Sequence, residues 1–141
     1  MQQVHQNDGT REEIVLKFFA YLRQGHTYDG NVKEFLNTFM KEHGPKVDLA
    51  ASKKLFVEVV SHVLEFTGGP LLRKGYAVTP LNQLEAVLVG AGRLAEAGKK
   101  LKKPSKDWLN DSELVKFSTK GTNTKTAFTG RNRRAEALLA G

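Results

Sequence analysis

The residues of this chain that could do chemistry are cations near its end. Lys99, Lys100, Lys102 and Lys103 form the densest basic run. Thr122, Asn123, Thr124, Lys125 and Thr126 then lead to Arg131, Arg133 and Arg134. Free amides at a helix start attract anions, and lysine and arginine add charge and paired donors. Such a set would hold a phosphate of DNA, RNA or a nucleotide. Flexible lysines suit contact with a phosphate backbone irrespective of sequence. Lys106 and Lys120 carry the same charge between the two groups. Each feature also has a plainer reading. The lysines serve equally as a linker. For Thr122 to Arg134, a Thr-rich loop before a solvated helix is the stronger alternative, because no spacing there is diagnostic.

The charge is unevenly placed. Residues 1–98 carry 11 Lys/Arg and 11 Asp/Glu, whereas residues 99–141 carry 11 Lys/Arg and 4 Asp/Glu and so hold the whole net charge of +7. Such asymmetry points to a polyanionic partner for the basic part.

Catalytic constellations are absent. His5, His26, His43 and His62 show no metal-ligand spacing, and His62, with Glu58 and Glu65 nearby, reads as ordinary helix-surface pairing. Gly68-Gly69-Pro70 is punctuation, and Gly90-Ala-Gly92 falls inside a helix pattern, so neither cradles phosphate. The chain has no cysteine, which excludes disulfides, thiol catalysis and cysteine zinc sites and fits a cytoplasmic protein. No cofactor, metal or catalytic residue is expected. Trp108 could stack on a base, but with Leu109 beside it a core anchor is the better reading.

These side chains must be positioned by helices. The 141 residues, 40% of them apolar, suffice for one domain with a core. No apolar run nears the roughly 18 residues of a membrane span. The polar start, Met1 to Asp8, has no apolar segment of the secretory kind, and residues 1–10 are expected to be flexible. A first helix is predicted from Arg11 to Gln24, capped by Thr10 with Glu13 and stopped by a left-handed Gly25. A second runs from Val32 to His43 under Asn31, with Glu34 three residues on, and ends at Gly44-Pro45. A third runs from Leu49 to Phe66 after Asp48. Leu71 to Thr79 reads as irregular. A fourth runs from Pro80 to Ala97, where Gly90 and Gly92 make sense if another helix crosses close by. Ser105 is expected to cap a helix from Lys106 to Ser118 that ends at Gly121. A last helix is expected from Arg131 to Leu139. The fold expected is all-α, an irregular bundle of about five to six helices. Residues 11–98 form a neutral helical core, with the basic segment 99–141 packed on the same domain.

Four stretches, in order, resemble a known family. They are Arg11-Glu-Glu-Ile-Val-Leu-Lys-Phe-Phe-Ala-Tyr-Leu22, Tyr28-Asp-Gly30 followed by Phe35-Leu-Asn-Thr-Phe-Met40, Leu72-Arg-Lys74 leading to Asn82 and Leu84-Glu-Ala-Val87, and Thr124-Lys-Thr126 with Arg131 and Arg134. The second is the most specific. The set resembles the helical C-terminal half of the nucleotidase-like domain found in GmrSD-type modification-dependent restriction enzymes and SspE-type phage-defence proteins. The resemblance spans most of the chain. It implies nucleic-acid surroundings and a ParB/sulfiredoxin-like front half to which the family's chemistry is credited.

That front half carries an Asp-Gly-Gln-Gln-Arg-type motif, and this sequence has none. The pairs Asp8-Gly9 and Asp29-Gly30 lack the Gln-Gln-Arg that should follow. The His-Asn-His nuclease domain often fused to the family is also missing, so no catalytic residue transfers. The expectation is a non-catalytic helical module, either a fragment or half of a split protein. It packs on a nucleotidase-like partner domain or chain and contacts DNA through its basic segment. The alternative is a protein-binding helical subunit or inhibitor with no nucleic-acid role. An independent enzyme is the weakest of the three readings, for want of a nucleophile, a base pair or a metal site.

Overall fold

The computed structural model describes residues 10–44, 49–67, 81–104, 107–119 and 121–140. Among the described residues six helices make up the bundle: α1 (Thr10–Gln24), α2 (Val32–His43), α3 (Leu49–Thr67), α4 (Leu81–Glu96), α5 (Ser112–Lys116) and α6 (Lys125–Ala140). Short 3-10 turns lie at Gly25–Thr27 and Trp108–Asn110. The architecture is all-α and irregular, and no strand occurs among the described residues. No described helix is long and apolar enough to cross a membrane.

α4 is the central element. Every position from 85 to 92 is buried, as expected for a helix that is apolar over most of its circumference. α6 packs along it most extensively, and α1 and α3 cover further sides. The two glycines of α4 mark the crossings. A Cβ on Gly90 would lie 2.8 Å from the Glu136 backbone nitrogen and 3.0 Å from its Cα, so α6 passes backbone to backbone. A Cβ on Gly92 would lie 3.0 Å from the Phe18 ring of α1.

The helix propensity of alanine would gain about 1 kcal/mol at Gly90. Overpacking costs about 1–3 kcal/mol, and here backbone, not a rotatable side chain, stands in the way. A fixed backbone puts the overpacking cost at the upper end of that range, about 2–3 kcal/mol, so Gly90→Ala is expected to lower stability by about 1–2 kcal/mol in net terms. Gly92→Ala should cost less, because a ring can tilt. Urea midpoints of the two variants check this, and an unchanged midpoint for Gly90→Ala would mean that the helices do not meet there.

An aromatic cluster joins the two ends of the chain. Tyr21 of α1, Tyr28, Phe35 of α2 and Phe128 of α6 pack with ring centroids 4.4–6.2 Å apart. Tyr28 is wholly buried, and its hydroxyl donates to the Asn123 carbonyl at 2.6 Å. Trp108 is a core residue, as expected. The buried Gln83 holds its turn in place by donating from Nε2 to the Leu109 carbonyl at 2.6 Å.

The helix ends follow local chemistry. At α2 the Asn31 side chain accepts from the Glu34 amide at 3.0 Å and donates to the Glu34 carboxylate at 3.3 Å, a reciprocal cap. Gly25 is not left-handed. It opens the 3-10 turn, and Gly30, at φ 110°, takes the positive-φ position instead. The helix expected from Lys106 to Ser118 is broken in two. Asp111 leaves the helical region, and its carboxylate caps α5 by accepting from the Leu114 amide at 3.1 Å. α6 starts six residues earlier than expected, at Lys125, because the Thr124 hydroxyl accepts from the Ala127 amide at 3.2 Å. Ser105, Lys106, Asp48, the stretch 71–79 and residues 1–9 lie outside the described residues.

Candidate nucleic-acid interface

The lysine run begins where α4 ends. The Gly98 amide donates to the Ala95 carbonyl at 3.1 Å and the Lys99 amide to the Leu94 carbonyl at 2.9 Å, around Gly98 at φ 72°. This double closure needs a left-handed residue, and glycine supplies it without a Cβ penalty. The connector then crosses to α6, where the Lys102 amide donates to the Leu139 carbonyl at 2.7 Å. Backbone bonds thus fix the connector at both ends. Lys99, Lys100, Lys102 and Lys103 are all exposed, and none forms an ion pair among the described residues. They cluster beside the carbonyl ends of two helices, where cations are favourable.

The arginines of α6 divide among three environments. Arg131 is a correction to the phosphate-binding set. It is only 5% exposed. Its guanidinium donates to the Phe117 carbonyl at 3.3 Å and to the Thr122 carbonyl, and it lies 5.7 Å from the centre of the Phe128 ring. Burial lowers its pKa, and the negative charge of Glu85 pulls it back up. Arg131 thus fastens the loop before α6 from inside. Arg134 is committed to acids: Nε and Nη2 each lie 2.8 Å from an Asp111 oxygen, with Glu113 at 3.5 Å. Only Arg133 stays exposed and without an ion pair among the described residues, as does Lys125 at the start of the helix. Lys106 and Lys120 lie outside the described residues.

The Arg134 hydrogen bonds hold the Asp111 carboxyl below its ordinary pKa, with the Leu114 amide acting in the same direction. A depressed folded pKa gives stability that is present above the ordinary carboxylate range. That stability is lost as pH falls through the folded value. Asp111→Asn keeps a cap but loses the pair. The melting temperature of the variant should therefore fall less steeply than that of the parent between pH 5 and about pH 2. Parallel curves would show that the pair adds nothing.

The cations therefore form no single patch. Lys125 and the lysine connector flank opposite ends of α6, roughly 20 Å apart at 1.5 Å per residue. The loop offered to a phosphate faces a different surface. Gly121, Thr122, Asn123 and Thr124 line an open cavity of about 580 Å³ whose other wall is Asp29, Gly30, Asn31 and Glu34. Two carboxylates thus border that loop, where an anion would be repelled. Among the described residues, the element that remains suited to a phosphate backbone is the fixed lysine connector, which forms no ion pair there. His26 and His62 are exposed, and His62 pairs with neither Glu58 nor Glu65 among the described residues. No metal-binding cluster occurs among the described residues.

No protein-family model, curated protein or solved structure matches the chain.

Proposed function

We propose that this chain is a non-catalytic helical module of a nucleotidase-like protein of the modification-dependent restriction and phage-defence type. It packs on a catalytic half and touches nucleic acid through Lys99, Lys100, Lys102 and Lys103. The observation that carries the nucleic-acid contact is the connector, with four exposed lysines that form no ion pair among the described residues, on a backbone fixed between two helix ends. Two of the family-like stretches also have a shared structural reason. Tyr28 reaches the carbonyl of Asn123, and Thr124 next to it caps α6, so a fold of this kind needs those residues at those places. A cytoplasmic location follows from such a role.

The test is binding to a fluorescent DNA duplex across a salt series. A log–log slope of about −3 or steeper is expected, because four neutralised phosphates give about −0.9 each. Absence of binding at low salt overturns the nucleic-acid contact.

A second reading, docking on protein alone, draws on α3. Val57 and Leu64 lie two turns apart on one side of that helix and are about half exposed. A complex that survives nuclease treatment and binds no DNA would favour it.

A further inference from the structure

A narrow groove of about 190 Å³ opens between the end of α1 and the middle of α6. Its floor is apolar. Tyr21 and Phe128 meet edge to face there, with centroids 4.8 Å apart, and the buried Val89 of α4 also lines it. Gly25 borders the opening. A Cβ at Gly25 would lie 3.5 Å from the Phe128 ring, an ordinary contact, so the glycine leaves empty a space that a side chain could fill.

The α6 wall is polar. Thr129, Asn132, Arg133 and Glu136 recur at the three- and four-residue spacing that puts them along one side of a helix. Glu136 is engaged, accepting from Arg93 Nε at 2.7 Å. The Asn132 carboxamide and the Thr129 hydroxyl have no partner among the described residues. Arg133 and His26 stand exposed at the rim. With Arg93 and Glu136 cancelling each other, the mouth is left positive.

Size, chemistry and charge agree on one ligand class. A cavity of about 150 Å³ takes a benzene ring, and whole small-molecule sites start at about 300 Å³. This groove therefore takes one planar ring system and leaves any sugar and phosphate outside. An asparagine carboxamide offers a donor and an acceptor side by side, which matches a base edge. An aromatic floor suits a base, and the rim cation suits its phosphate.

We propose that the groove binds a single base of a nucleoside phosphate, with the ring on the Tyr21–Phe128 floor, its edge on Asn132 and its phosphate on Arg133. The site is separate from the lysine connector, although it deepens the nucleic-acid reading. A free nucleotide and a base turned out of a strand share this chemistry.

The probe is 2-aminopurine, as the free monophosphate and within a single-stranded oligonucleotide, titrated against the chain by fluorescence. Saturable binding is expected. Asn132→Ala should weaken it roughly tenfold, the scale of one base-edge contact, and Gly25→Leu should abolish it by filling the groove. Gly25→Ala, with no clash to relieve, serves as the folding control together with unchanged helical circular dichroism. Binding of the monophosphate assigns the site to free nucleotide, and binding of the strand alone assigns it to an extruded base. No binding of either probe overturns the proposal, and so does binding that both groove variants leave intact. Changing the four connector lysines separates the two ideas. If that change removes duplex binding while the monophosphate response persists, the groove stands on its own. If duplex binding is strong and the groove variants alter nothing, the groove fails and the connector remains.

Discussion

Glu85→Ala is expected to destabilise the fold by about 3–5 kcal/mol, the cost of breaking a buried ion pair from one side. Glu85 lies on α4, and its carboxylate is 3.3 Å from Lys17 Nζ of α1, with side chains 8% and 14% exposed respectively. Its charge also acts on the buried guanidinium of Arg131. One carboxylate thus supports two cations at the junction of α1, α4 and α6. Without it, Lys17 and Arg131 remain in a poorly solvated space with less compensating charge. Small domains are stable by only about 5–15 kcal/mol, so the loss is a large share of the whole. Urea denaturation measures it. The double variant Lys17→Met with Glu85→Leu provides the contrast. Replacing a buried pair by apolar groups is often neutral, so the double variant should recover most of what Glu85→Ala loses. A cost below about 1 kcal/mol for Glu85→Ala is the value of a solvated surface pair and would refute the buried junction.

What was legible in the sequence was local. The start of α2 follows from Asn31 and Glu34, since the Asn31 side chain accepts from the Glu34 backbone amide and donates to the Glu34 carboxylate within one turn. The close crossing at α4 follows from two glycines that nothing else in a helix explains. What was not legible depended on partners far along the chain. Gly130 directly precedes Arg131, where the last helix is expected to start. It is the place where Phe117 lies against α6, and a Cβ there would be 2.7 Å from the ring. Arg131 reads as a surface cation by type. Its position gives it away, because Ala127, Arg131, Ala135 and Leu139 recur every four residues and all are buried. Asn132 carried no signal, and Arg133, legible as a cation suited to phosphate, carried none that placed it in a groove. The groove is assembled from residues within 21–26, 89–93 and 128–136, and only packing brings these together.

Changing Lys99, Lys100, Lys102 and Lys103 together to glutamine is expected to weaken duplex binding by about a thousandfold or more at 0.1 M salt and to flatten the salt slope by about 3.6. The size follows from counterion release. Each neutralised phosphate contributes a slope of about −0.9, so four contacts supply a factor of 10³ or more at that concentration. Glutamine is the better first choice over glutamate. The connector adjoins the carbonyl ends of α4 and α6, and acids placed there would cost helix stability of about 0.3–1 kcal/mol each. A loss of binding could then come from a loosened fold. With glutamine the backbone bonds of the connector persist and the melting temperature should change little. Lys125→Gln and Arg133→Gln, on other parts of α6, provide the comparison. Because the connector gathers four cations while those two stand apart, Lys125→Gln and Arg133→Gln should each leave the slope nearly unchanged, whereas each connector lysine changed alone should flatten it by about 0.9. Equal effects from all six positions would mean that duplex DNA meets the whole length of α6, and the connector would lose its special role.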